Sequence, residues 1–184
     1  TYIVGADDTV LSIAGAGNIT LTGNLTAGTT TNTEFSGVMS GAGAFTKVGS
    51  GTLTLSGANT YSGTTTVSAG TLRISHNDGL GTTAGGTTVN SGATLDLYNV
   101  TIGTEAITLA GGTLRDVTSS LAGNITLTAD STLSATTGDT LTLSGVISGG
   151  FGITKTGAGT VVLSNNNTYT GTTTVSAGTL NVTG

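Results

Sequence analysis

The chain alternates. Stretches such as Leu53-Thr54-Leu55, Thr94-Leu95-Asp96-Leu97, Ile125-Thr126-Leu127 and Leu141-Thr142-Leu143 put an aliphatic residue at every second position, with a hydroxyl or a charge between. A period of two sends successive side chains to opposite faces of a strand. Each stretch therefore reads as a half-buried strand, aliphatic side in and threonine side out. Threonine suits this role because its branched Cβ fits the pleated surface. Glycine clusters such as Gly41-Ala42-Gly43 and Gly111-Gly112 separate the stretches and supply turns. No segment sustains a 3.6-residue period over three turns, so the pattern predicts an all-β chain.

The alternation is organised at two longer scales. Residues 36–75 align without a gap on residues 144–183, an offset of 108, with 25 of 40 positions identical. A Thr-Leu or Thr-Val pair after a small-residue turn recurs with its apolar member at Leu53, Leu72, Leu95, Leu114, Leu133, Val161 and Leu180. A beat near 20 residues, with two or three strands and no helix, predicts one coil of a parallel β-helix whose stacked coils share a core. Roughly nine such coils, ~4.8 Å apart, would form a rod on the order of 40–45 Å long. The expected organisation is one continuous solenoid over 1–184, with 36–75 and 144–183 as long copies and 76–143 as shorter intervening coils. A β-propeller blade would need about 40 residues in four strands, which the 19-residue steps fit poorly.

The residues that carry the long repeat also carry a resemblance. The string from Thr46-Lys47 through Gly51-Thr52-Leu53-Thr54-Leu55-Ser56-Gly57-Ala58-Asn59-Thr60-Tyr61 to Val67-Ser68-Ala69-Gly70-Thr71-Leu72 resembles the autotransporter-associated β-strand repeat. Its second copy runs from Thr154 to Leu180 and departs at several positions, among them Thr156 and Asn165-Asn166. The resemblance implies a single-stranded, right-handed parallel β-helix passenger, carried through the bacterial outer membrane and displayed outside the cell. It also implies a signal peptide and a C-terminal translocator barrel, so the chain is expected to be a segment of a longer passenger. The expected role is a structural display rod, an adhesin stalk without catalysis. Its expected partner is a host or bacterial surface ligand, protein or glycan. Self-association through the end coils, giving a fibre subunit, is the competing structural reading.

Composition narrows the chemistry. Glycine fills 32 positions and threonine 44, charged residues are 7%, and Pro, Cys and Trp are absent. Without cysteine there is no disulfide framework, thiolate metal site or cysteine nucleophile. Four basic residues against nine acidic ones leave no basic patch for a nucleic-acid backbone. No apolar run approaches the ~18 residues of a spanning helix, so no direct membrane insertion of this segment is expected. No cofactor motif appears either: the glycine-rich segments contain no phosphate-binding loop and no aspartate-bearing calcium nonapeptide.

The remaining candidates are few. The carboxylates Asp7, Asp8, Glu34, Asp78, Asp96, Glu105, Asp116, Asp130 and Asp139 are thinly spread, unlike the clustered acids of a glycan lyase or hydrolase. The residue after the Thr-Leu pair is Arg73, Asp96 and Arg115 on successive coils, which predicts an alternating-sign ladder on an outer face. His76, beside Asn77-Asp78-Gly79, reads as a solvated turn residue rather than a catalytic base. Lys47 and Lys155, equivalent across the repeat, read as solubilising or edge-protecting charges flanking a glycine turn. Tyr61 and Tyr169 are expected to cover coil corners while Asn59 and Asn167 bond turn backbone. Thr-x-Thr pairs such as Thr64/Thr66 and Thr126/Thr128 are the local signature of ice-binding β-helices. Unequal coil lengths predict a face too irregular for that. No catalytic, cofactor-binding or metal residue is assigned.

Overall fold

A computed structural model describes residues 1–184. The chain winds as a β-solenoid of about nine coils with three faces per coil, and every strand pairing between coils is parallel. The first face carries Tyr2–Val4, Ile19–Leu21 and Met39–Gly41, and later Thr101–Ile102 through Thr179–Val182. Between these two sets the backbone keeps the stacking without regular strands, as Thr60 N–H donates to Met39 O at 2.8 Å and Thr82 N–H to Tyr61 O at 2.9 Å. The second face is an eight-stranded sheet from Asp8–Val10 to Ile147–Gly149, and the third an eight-stranded sheet from Thr33–Phe35 to Thr173–Val175.

The period-two alternation governs what each strand buries. In Thr71–Ile74 the pattern puts Leu72 and Ile74 inside, both fully buried, and leaves Thr71 and Arg73 part-exposed. Stacking these inner positions joins 36 apolar residues into one cluster along the solenoid. At about 25 cal/mol per Å² of buried apolar surface, no coil gains that burial until its neighbour is in place.

Outside, the same register lines up hydroxyls. On the second face Thr9, Thr26, Thr46, Thr66, Thr88, Thr108, Thr126 and Ser148 are consecutive pairing partners. On the third face Thr52, Thr71, Thr94, Thr113, Thr132, Thr154 and Thr174 do the same. The expectation of an irregular face is therefore corrected. Coil lengths do vary, but the corners absorb the difference and both columns stay unbroken.

The apolar beat needs a second correction. Leu53, Leu72, Leu95, Leu114 and Leu133 stack on the third face as expected, but Leu133 then pairs with Lys155, not with Val161. Val161 lies on the first face between Leu141 and Leu180. The cause is the phase of the long repeat. Its first copy places Phe45–Lys47 on the second face and Thr52–Leu55 on the third, whereas its second copy places Ile153–Thr156 on the third and Thr160–Leu163 on the first. The 108-residue offset is five coils plus one face, so equivalent segments look out in different directions.

Corners demand glycine for closeness as well as for turning. At Gly63 a Cβ would lie 2.3 Å from Gly43 O, and at Gly85 a Cβ would lie 2.2 Å from Gly63 O, so these stacked corners leave no room for a methyl group. Gly63 is not among the positive-φ glycines, so steric approach alone requires it. Gly63→Ala should destabilise the solenoid by about 3 kcal/mol or more, at the upper end of overpacking costs, because the obstacle is backbone. Thermal unfolding followed by circular dichroism measures this, and an unchanged midpoint would contradict the corner packing.

Candidate functional site

The charged ladder forms in the expected register: Arg73 pairs with Asp96, and Asp96 with Arg115. Arg73 Nε donates to Asp96 Oδ2 at 2.7 Å, while Arg115 donates from Nε to Oδ1 at 3.0 Å and from Nη2 to Oδ2 at 2.7 Å. The flanking side chains cover Asp96 completely, yet both arginine side chains remain about one-third exposed. Burial opposes ionisation of Asp96, but the hydrogen bonds from Arg115 and Arg73 outweigh it and hold its pKa below the ordinary value. The Arg73 guanidinium also lies 4.9 Å from the centre of the half-exposed Tyr98 ring, a cation–π contact.

The lysines correct the surface-charge expectation. Lys47 and Lys155 are 1% and 0% exposed. Each stands at an inward strand position, Lys47 between Ala27 and Val67. Lys47 Nζ donates to Val48 O at 2.7 Å, Gly49 O at 2.9 Å and Ala69 O at 3.1 Å, the last on the following coil. Lys155 repeats the arrangement with Thr156 O at 2.6 Å, Gly157 O at 2.8 Å and Ala177 O at 3.1 Å. An ammonium has three N–H donors, and here three carbonyls satisfy them. Burial lowers both lysine pKa values from the ordinary 10.5. These lysines are clamps that tie one corner to the next coil. The clamp travels with the repeat, sitting on the second face in one copy and the third in the other.

The Asn-Thr-Tyr segments also work between coils. Asn59 Oδ1 accepts from Met39 N–H at 2.8 Å on one side, and its Nδ2 donates to Gly79 O at 2.8 Å on the other. Asn167 Oδ1 likewise accepts from Ile147 N–H at 2.8 Å, and its Nδ2 donates to Asn165 O at 2.9 Å. The expectation that these asparagines bond backbone holds, though the main partners lie on neighbouring coils. Tyr61 does not cover a corner: it is fully buried inside the core, its hydroxyl 2.6 Å from Thr65 Oγ1. Tyr169, half-buried, makes the matching 2.7 Å contact with Thr173. His76 sits in a turn, 40% exposed, where its Nδ1 accepts from Asp78 N–H at 3.1 Å.

Sequence reasoning passed over one residue. Asp116 is fully buried, facing inward between Leu97 and Ala135, and neither carboxyl oxygen has a hydrogen-bond partner. Burial pushes its pKa up from 3.8 to about 6; the neighbouring Ser119 side chain and backbone offset part of that rise, and the charges of Asp139 and Asp96 add a little to it. The alternation could have found it, because Leu114-Arg115-Asp116 puts the aspartate on the same side as Leu114. Glu105 is buried as well, accepting from Thr87 Oγ1 at 2.8 Å, and burial raises its pKa.

Two outcomes follow for stability. Lys47→Met keeps the aliphatic stem and deprives three carbonyls of their donor, so it should cost about 2 kcal/mol in denaturant unfolding. A variant as stable as the native chain would remove the clamp. Asp116 is raised in the fold, so the native state holds its proton more tightly than the unfolded chain does. Its contribution is full below pH 4 and falls as pH rises through 6, a loss of about 3 kcal/mol for a shift of this size. Asp116→Asn should therefore match the native chain near pH 4 and exceed it by roughly 1–3 kcal/mol at pH 7. Equal differences at the two pH values would contradict the buried-acid assignment.

No curated protein and no solved structure matches the chain significantly. Residues 45–74 and 153–182 match the family model described as the passenger-associated-transport-repeat. Each match contains one lysine clamp and one Asn-Thr-Tyr segment, and the chain thus carries two copies of this passenger repeat.

Proposed function

We propose that the chain is a display rod: a secreted, surface-exposed and non-catalytic segment of a bacterial autotransporter passenger, the stalk of an adhesin. One observation carries the reading, namely that both passenger repeats are built into the same coil stack and contribute clamps between its coils. On this reading 1–184 act as one continuous segment, with 76–143 as spacer coils between the copies 36–75 and 144–183. Ten passes over the first face give a rise of roughly 43 Å at ~4.8 Å per pass. Stiffness follows from the hydrogen bonding, since each coil's backbone groups are satisfied by its neighbours. Stepwise growth follows from the core, since each emerging coil is stabilised only on one already folded. That order favours outward movement of a chain folding outside the cell.

The test is accessibility on intact cells that make the full protein. A tag inserted in the exposed turn at 82–84 should be removed by protease added outside, and incubation with glycans should release no fragments. A tag protected until the cells are lysed would overturn the display reading, and product release would overturn the non-catalytic one. A second reading has one observation in its favour, the unbroken columns of threonine closed on one face by Ser148, because regularity is what a lattice-matching ice face needs. Freezing-point hysteresis of the purified chain tests it, and a value equal to buffer removes it.

A further inference from the structure

The chain has four cationic residues, and the core takes two of them as clamps. Arg73 and Arg115 are therefore the lysine and arginine charges that reach solvent, and they stand two coil steps apart on the third face, roughly 10 Å. Asp96 beneath them is consumed: it is fully covered and engaged by three guanidinium N–H groups. What faces outward is the remaining edge of each guanidinium. Arg73 uses only Nε within the protein, so both of its terminal nitrogens are free to donate. Tyr98 lies beside this pair, two residues along from Asp96, its ring half-exposed and its hydroxyl without a partner. Thr54 and Ser134 continue the column on either side, and Thr71, Thr94 and Thr113 run parallel to it.

We infer that this patch binds an acidic polysaccharide, gripping a carboxylate or sulfate between Arg73 and Arg115 while Tyr98 packs against a sugar ring. Charge complementarity selects the occupant. On a chain of net charge −5, this is where an anion meets fixed donors. The fork geometry of arginine suits planar or tetrahedral oxyanions, and Asp96 locks both forks in place before any ligand arrives. The aromatic ring and the hydroxyl columns favour a sugar chain over an acidic peptide, offering a ring face and hydrogen bonds to polyol groups. The Debye length of about 10 Å at 0.1 M salt screens the more distant carboxylates, so binding should be clearest at moderate ionic strength. This site extends the display reading by naming what the rod would present, but binding at the patch does not require surface display.

Affinity electrophoresis of the folded chain through gels containing polygalacturonate, dextran sulfate or plain dextran tests the inference. Retardation by the carboxylate polymer, the sulfate polymer or both is expected, identifying which anion the patch takes, with none in plain dextran. The triple variant Arg73→Thr, Asp96→Thr, Arg115→Thr removes both charges without stranding Asp96, and continues the column set by Thr54. It should fold as judged by circular dichroism and bind roughly tenfold more weakly or worse. Tyr98→Ala, which leaves the ion triad intact, should weaken binding several-fold. No retardation of the native chain in either anionic gel, equal retardation in plain dextran, or undiminished binding by the folded triple variant would each overturn the site. Failure here would leave the display reading standing, since that is judged on intact cells.

Discussion

No coil of this solenoid can complete itself. Its strands on the three faces have no partners within the coil, so their backbone groups bond to the coils above and below, and its inward side chains find a core only between them. The rest of the molecule answers to that dependence. Where corners stack, backbone meets backbone at distances that exclude a methyl group, which is why glycine recurs at Gly43, Gly63 and Gly85. Several polar side chains placed inside reach the next coil, as Asn59 and the two lysines do.

The distribution of charge follows the same constraint. A buried ammonium would be costly alone, but three carbonyl oxygens take up its three N–H groups and convert the cost into a link between coils. Asp96 shows the complementary solution, a carboxylate covered by the two arginines that neutralise it. Asp116 has neither device and stands as an uncompensated acid in the core, favouring its protonated form. Burial thus takes both lysines off the surface, and the two arginines that remain there are gathered at a single patch.

Much of this was legible along the chain, because period-two alternation and a 20-residue beat are local properties. They identified the parallel solenoid, the inward leucines and the Arg73–Asp96–Arg115 register. The lysines were misread although the information was present: Phe45-Thr46-Lys47 puts the lysine on the same side as phenylalanine. Charge was allowed to outweigh phase. Two of the carbonyls that receive the ammonium, Val48 and Gly49, follow it directly in the chain, but the third, Ala69, comes from a neighbouring coil that no local string reveals. Asp116 was passed over for the same reason, its inward phase hidden by its carboxylate.

Local pattern alone thus decided that the chain forms short strands, coils near 20 residues long and a threonine-covered exterior, because side-chain alternation and turn residues act within a few positions. Only the stacked structure decided which face each segment occupies. The two passenger repeats look out in different directions because the 108 residues between them amount to five coils and one face, a sum over every corner in between. Corner lengths vary from coil to coil. What holds the columns in line across that variation is the hydrogen-bond register between coils, an interaction between residues about 20 positions apart.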